Sequence, residues 1–255
     1  MFSFDIETLP HLDGQRAVVT GANSGLGQQT AWMLASRGAQ VVMACRSPER
    51  AATAAAHVQA RVPGAAIDTL PLDLASLASV REAANTLRAG PPVNVLVNNA
   101  GVMALPYRKT ADGFEMQLGT NHLGHFALTG LLFDHLAPDA RVVNVASGMH
   151  RAGRMHWDDL DGERGYDAWA WYGQSKLANL LFTYGMARRL GAAGSARLAV
   201  AAHPGYAATN LQYAGPKMEG SSLKSAMMSV GNALFAQSAE RGAWPPAYAA
   251  AAADV

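Results

Sequence analysis

A short apolar run at 16–20 ends on Thr20-Gly21-Ala-Asn-Ser-Gly25-Leu-Gly27, and a helical pattern starts inside that turn. A glycine-rich turn set between a strand and a helix constrains the chain more than its composition does. Glycine allows the tight reversal and a close approach of backbone to a bound group. The helix that opens there aims free N–H groups and a partial positive charge at the same spot. The junction predicts a phosphate-bearing ligand over Gly21, Asn23, Ser24, Gly25, Leu26 and Gly27. The spacing is Gly-x-x-x-Gly-x-Gly, which is neither the commonest dinucleotide fingerprint nor a P-loop, since no Gly-Lys-Ser/Thr follows.

Further apolar runs at 40–44, 66–72, 93–98, 141–146 and 197–202 alternate with helical patterns near 25–37, 48–60, 76–88, 112–136 and 169–190. Such alternation implies right-handed crossovers and an α/β Rossmann fold, a doubly wound parallel sheet of about six to seven strands flanked by helices. The punctuation agrees. Gly38 stands where a helix needs a C-terminal glycine, and Ser47-Pro48 reads as an N-cap with proline in the first turn. No linker-like composition shift divides the 255 residues, half of them hydrophobic, so one domain over 1–255 is expected. From 206 to 240 the pattern loosens around Gly215-Pro216, Gly220-Ser-Ser222 and Met227-Met228. Short helices and a mobile substrate-side flap both fit that segment.

Several function classes drop out. Formal net charge is +1, which gives no electrostatic case for nucleic-acid binding. The single cysteine, Cys45, excludes an internal disulfide and a cysteine-rich zinc site, and fits a reducing compartment. No apolar run approaches the roughly 20 residues that cross a bilayer. Met1-Phe-Ser-Phe-Asp-Ile-Glu lacks the basic and then apolar order of a signal peptide, so a soluble, cytoplasmic protein is expected. His122 and His125 lie close enough for one helix face, but no third ligand accompanies them. Asp158, Asp159 and Asp161 lack the EF-hand pattern, so no metal site is expected. Trp157, Trp169 and Trp171 read as packing or as substrate-pocket walls.

In Tyr172-Gly-Gln-Ser-Lys176 three residues separate a phenol from an ammonium, which puts both on one face of a helix. A nearby positive charge favours the phenolate, lowering a group that ordinarily titrates near pH ~10. Brought toward neutrality, such a tyrosine exchanges a proton with an alcohol or carbonyl.

These stretches resemble the motifs of the short-chain dehydrogenase/reductase family. Thr20–Gly27 is similar to its cofactor turn, Asn98-Asn-Ala-Gly101 to the motif after the fourth strand, and Tyr172 with Lys176 to its catalytic pair. His203-Pro-Gly205 after the sixth strand is similar to a fourth motif, and all stand in family order between about 14 and 210. The strings Arg141-Val-Val-Asn-Val-Ala-Ser147 and Tyr172-Gly-Gln-Ser-Lys-Leu-Ala-Asn179 resemble the retinol-dehydrogenase-like and protochlorophyllide-reductase-like branch.

The resemblance implies hydride transfer between a nicotinamide cofactor and a carbonyl or alcohol. It gives Ser147 the hydrogen bond to the substrate oxygen, Tyr172 the proton, and Lys176 the tuning of Tyr172 and the nicotinamide ribose. Asn121 then helps hold a water that connects the lysine to solvent. Asp73 contacts the adenine ring (a helix N-cap is its alternative role), with Leu74 beside it. Asn99, Ala100 and Gly101 pass beneath the cofactor, Pro204 and Gly205 start the loop over the nicotinamide, and Thr209 touches its amide or phosphates. Asn98 is architectural, bonding backbone across strands. Ser147 precedes Tyr172 by 25 positions, a longer separation than most of the family shows, and one typical of that branch.

The end of the second strand bears on the cofactor. NAD-preferring relatives carry an acidic residue there for the ribose hydroxyls. Cys45 takes that place here, followed by Arg46, whose planar fork suits a 2′-phosphate, with Ser47 and Asn23 at hand. NADP(H) is the expected cofactor and NAD the weaker candidate. The methionine-bearing segment 206–235 points to a bulky hydrophobic small-molecule substrate. Two readings compete: a non-enzymatic NADPH-sensing protein on the same fold, and a methyltransferase on a Rossmann-like sheet. Retention of Tyr172, Lys176 and the Pro-Gly loop speaks against both. The resemblance also implies a homodimer or homotetramer built through the fourth and fifth helices, and one more edge strand after the last helix. Val255 follows the Ala-rich helical stretch directly, so either that strand lies outside this sequence or the sixth strand keeps an open edge.

Overall fold

The structure, a computed structural model, describes residues 4–205 and 238–255. Thr209 and most of the expected flap at 206–240 lie outside the described residues. Among the described residues six strands form one sheet: β1 Arg16–Thr20, β2 Gln40–Cys45, β3 Ile67–Pro71, β4 Val93–Asn98, β5 Leu136–Val145 and β6 Leu198–Ala202. Every neighbouring pair is parallel, in the order β3-β2-β1-β4-β5-β6. The helices are α1 Gly25–Ser36, α2 Pro48–Arg61, α3 Leu77–Arg88, α4 Met116–Leu118, α5 Gly124–Leu132, α6 Ala168–Ala192 and α7 Ala239–Ala251. This is the doubly wound arrangement the alternation predicts.

Side chains along each strand point alternately to two cores. Val19, Met43, Val97 and Val143 join α1, α2 and α7 in one. Val18, Val42, Leu96 and Val142 join α3, α5 and α6 in the other. β1, β2 and β4 are buried on both faces, which is why their sequences are nearly unbroken apolar runs. β3 is the polar edge, with Leu70 its one buried residue. Local chemistry sets the helix ends. Ser47 and Ser76 accept hydrogen bonds from Arg50 N–H and Ser79 N–H, capping α2 and α3.

The helix expected at 112–136 is broken up. Residues 109–115 close a small turn instead, with Lys109 bridged to Glu115 and the Thr110 N–H donating to the Phe114 carbonyl at 2.8 Å. Glu115 then caps α4, its carboxylate accepting from the Gln117 and Leu118 N–H groups. Gly119–Leu123 form a π turn before α5 begins. Leu136 already pairs with Val93, and regular pairing resumes where Arg141 meets Val95, so the strand expected at 141–146 is the regular part of β5.

Strand order reverses at β1 and β4, which lie side by side while β2 and β5 lie on opposite flanks. A crevice opens at the carboxyl ends of such a pair. The glycine turn leaves β1 there, and Asn99–Gly101 leaves β4 there.

Candidate active site

A cleft of about 350 Å³ occupies that crevice. Gly21, Asn23, Ser24, Gly25, Leu26 and Gly27 line it from the glycine turn, and Arg46 and Ser47 from the end of β2. Asp73 and Leu74 line it after β3, and Asn99, Ala100 and Gly101 after β4. One cleft thus collects four separate stretches of sequence. Pro204 and Gly205 follow β6 and do not line it.

The turn requires bare backbone at two points. Gly21 has a φ of +66°, and a Cβ on Gly27 would lie 2.5 Å from both the Gly21 carbonyl oxygen and the Asn99 amide nitrogen. Ser24 caps α1, but its side chain makes no capping bond, unlike the cap residues of α2, α3 and α6. The first amides of α1 are therefore left to an acceptor from outside the helix, as a pyrophosphate would be.

Gly101 joins this cleft to a second group. A Cβ there would sit 3.1 Å from Asn121 Oδ1 and 3.8 Å from Lys176 Nζ. Asp167 caps α6, which carries Tyr172 and Lys176 one turn apart, both buried. Lys176 Nζ lies 5.9 Å from the centre of the Tyr172 ring and donates to the Val145 carbonyl at 3.1 Å. Ser147 caps the short turn after β5, accepting from Met149 N–H at 3.3 Å, and its hydroxyl favours the Tyr172 phenolate.

The long stretch between Ser147 and Tyr172 folds back over the first turns of α6. His156 stacks on Trp171 at 4.7 Å, and Trp171 Nε1 and Gln174 Nε2 both donate to the Leu160 carbonyl, at 3.2 and 3.3 Å. Gly153 meets Gly173 backbone to backbone: a Cβ on Gly153 would lie 2.3 Å from the Gly173 carbonyl oxygen. Trp171 is core, whereas the exposed Trp169 stands edge-on to Tyr172 at 6.3 Å.

A family model described as short chain dehydrogenase matches residues 15–219. The chain belongs to the short-chain dehydrogenase family. It is 43% identical to human retinol dehydrogenase 13 over 249 residues, covering 96% of this chain and 74% of that protein. It is 48% identical to human retinol dehydrogenase 11 over 197 residues, covering 76% of this chain but 61% of that protein, less than two thirds of its length. A short chain dehydrogenase from Burkholderia cenocepacia J2315, solved in complex with NADP, matches with a TM-score of 0.72 at 26% identity, over 94% of this chain and 92% of that one.

The electrostatics of this dehydrogenase depart from the sequence expectation. Burial pushes the Tyr172 phenol up, and the nearby Ser147 hydroxyl offsets only part of that rise. Burial also pulls Lys176 down to about 8. At this depth the loss of hydration outweighs the attraction of an ammonium that is committed to the Val145 carbonyl.

The structure gives other expected site residues partners of their own. Asn121 sits in the π turn and clamps two elements: its Oδ1 accepts from Val102 N–H at 2.7 Å, and its Nδ2 donates to the Val102 carbonyl and to Ser175 Oγ, each at 2.9 Å. Asn121 thereby braces the loop after β4 against α6. Asn98, expected to bond backbone, bonds side chains instead, donating to Asn144 Oδ1 at 2.9 Å and Thr129 Oγ1 at 3.1 Å. Asp73 closes its own turn by accepting from Ala75 N–H at 3.0 Å, and Ser76 takes the capping role.

Arg50 is a cleft residue that sequence reasoning missed. The signal was a second arginine four positions after Arg46. The Asn23 amide oxygen, in the orientation that satisfies both partners, accepts from Arg50 Nε at 3.2 Å and Nη2 at 3.1 Å. Asn23 thus orients Arg50. Ser47 is engaged as well, accepting from Arg50 N–H at 3.3 Å and donating to Glu49 Oε2 at 2.8 Å. Burial pushes the Cys45 thiol up to about 11, so the end of β2 carries no thiolate at neutral pH. Among the described residues no group of His, Cys, Asp and Glu could hold a metal, and no helix is long and apolar enough to cross a membrane.

Proposed function

We propose that this dehydrogenase uses NADP(H) to interconvert a bulky hydrophobic carbonyl compound and its alcohol. The observation that carries the reading is Lys176 beside Gly101, where the cleft ends, with the Tyr172 ring 5.9 Å from its Nζ and Ser147 acting on the Tyr172 phenol. A dinucleotide fits the residues present: uncapped amides on α1, bare backbone at Gly21 and Gly27, and two guanidinium groups lining the cleft. When bound, the nicotinamide ring supplies or accepts the hydride.

The protein's share is positioning and proton transfer. Ser147 Oγ donates a hydrogen bond to the substrate oxygen. Tyr172 holds its proton at neutral pH because burial raises its phenol, so it is set to act as the acid when a carbonyl is reduced. Lys176 carries its charge below about pH 8 and stabilises the phenolate left behind. In the oxidation direction the same groups run in reverse, starting from the less favoured phenolate.

Arg46 and Arg50, with no carboxylate at the end of β2, support a 2′-phosphate on the adenosine ribose, as does the NADP complex of the Burkholderia relative. Two relatives are named for retinol, a long apolar alcohol, and Trp169 offers an aromatic wall at Tyr172. Purified protein should consume NADPH with long-chain or ring-containing aldehydes. Tyr172→Phe should keep NADPH binding, read as a thermal shift, while turnover falls by several orders of magnitude. A fully active Phe variant sinks the mechanism, and a preference for short polar ketones sinks the substrate reading.

A further inference from the structure

His125, in the first turn of α5, is only 2% exposed. Its Nδ1 lies 3.0 Å from the Asn121 carbonyl oxygen, and its Nε2 lies 2.8 Å from Thr20 Oγ1. A carbonyl only accepts, so Nδ1 must carry the proton. Nε2 is then a bare acceptor, and the Thr20 hydroxyl must donate to it. Both lone pairs of that hydroxyl are taken by the Asn99 and Ala100 N–H groups, each at 3.0 Å. The Val97 carbonyl, at 3.4 Å, is the poorer acceptor and loses the Thr20 proton to the imidazole. One tautomer satisfies every donor and acceptor in this chain of contacts, and the other places a bare nitrogen against a carbonyl.

We propose that His125 is a positioning residue of the active site, the neutral Nδ1–H imidazole that ties the Asn121 turn to Thr20 and, through Thr20, to the Asn99–Gly101 side of the cleft. Each end of this tie matters. Thr20 is the last residue of β1 before the glycine turn. Asn121 braces Val102 and Ser175, the latter one residue before Lys176. The imidazole therefore holds the dinucleotide cleft and the proton-transfer group in one register. Its surroundings keep it neutral: burial is the main cause of a value pulled down to about 3, and Lys176 on α6 and His122 in the π turn act the same way. No titration of His125 is expected between pH 5 and pH 9.

The effect on turnover rests on reading the cleft as a dinucleotide site; the hydrogen-bond arrangement does not. The test begins with wild-type protein carrying ¹⁵N-histidine. The His125 signals should report Nδ1–H and bare Nε2 without change from pH 5 to pH 9. An Nε2–H tautomer or an imidazolium at pH 7 overturns the proposal. Three variants then separate the two ends. His125→Phe removes both bonds, His125→Asn keeps a donor for the Asn121 carbonyl, and His125→Gln keeps an acceptor for Thr20. Hydrogen exchange at the Ala100 amide should quicken about tenfold in the Phe and Asn variants and stay near wild type in Gln, as for loss of one buried hydrogen bond, with the Asn99 amide less affected because it also donates to the Val97 carbonyl at 3.0 Å. The NADPH Kd should weaken about tenfold in the same two variants, while Gln keeps its Kd and loses about tenfold in kcat. Unchanged exchange in the Phe variant, or an equal loss in all three, overturns the proposal. Should the Phe variant fail to fold, the Asn and Gln pair and the wild-type spectrum still decide. Should wild-type protein bind no NADP(H), the proposed function fails, and the spectrum and exchange rates still decide the role of His125.

Discussion

Lys176 gives up its water when α6 packs against β5, and burial alone brings it to about 8 from the 10.5 of an exposed lysine. Between those values the unfolded chain binds more protons than the folded one, so this residue's contribution to stability rises with pH across that window. Below pH 8 the buried charge costs about 3 kcal/mol. Lys176→Met should therefore be more stable than wild type at pH 7, with the gap closing toward pH 10.5, as read from urea unfolding at each pH. The cleft arginines make a second prediction. Arg46→Asp should reverse the preference for NADPH over NADH, by a factor of about ten to a hundred in titration calorimetry; an unchanged preference removes Arg46 from the cofactor reading. Residue types and their order were legible in the sequence because each motif is local. The protonation of Tyr172 was not, because it depends on how deeply a whole helix sinks. Nor were the engagements of Asn23 and Ser47, because both depend on Arg50, whose place at the cleft only the fold decides.

At the scale of elements, four of the five helical patterns and all six strands could be read because central strands buried on both faces leave continuous apolar runs between capped helices. The segment at 112–136 gave the right type with the wrong bounds. Its apolar periodicity runs on through Gly119–Leu123, and nothing in Gly119-Thr-Asn-His-Leu-Gly124 marks where the helical spacing widens by one residue. The start at Met116 follows from Glu115 acting as a cap, a role glutamate seldom takes, so the sequence gives little notice of it. The α1 terminus carries the prediction at this scale. Gly27→Ala drives a methyl group into the Gly21 carbonyl, and overpacking of this kind costs about 1–3 kcal/mol. The variant should melt several degrees lower and lose the thermal shift given by NADPH, whereas an unaltered shift would show that the turn has room the geometry denies.

At the scale of the molecule, the α5–α6 face presents an apolar groove of about 700 Å³, with the exposed rings of Phe126, Phe133 and Trp157 along it. A patch of this kind marks a surface that is normally covered. We propose a second copy of the chain as its cover, in keeping with the helix pairing that the family resemblance implies. Light scattering should give twice the 26.8 kDa chain mass, and Phe126→Glu should halve it without loss of fold; a wild-type monomer at tens of micromolar ends that reading. The Gly153–Gly173 contact has a consequence for how such an enzyme diversifies. Gly173 is the immediate neighbour of Tyr172, and Gly153 is pressed against it with no space for a side chain. The insertion is thus riveted beside the reacting phenol at Gly153 and pinned again where Leu160 meets Trp171 and Gln174, while its exposed side chains, Arg154 and Trp157 among them, remain open to exchange. New substrate ranges can be explored by rewriting those exposed positions, with the proton-transfer machinery and the cofactor seat inherited unchanged.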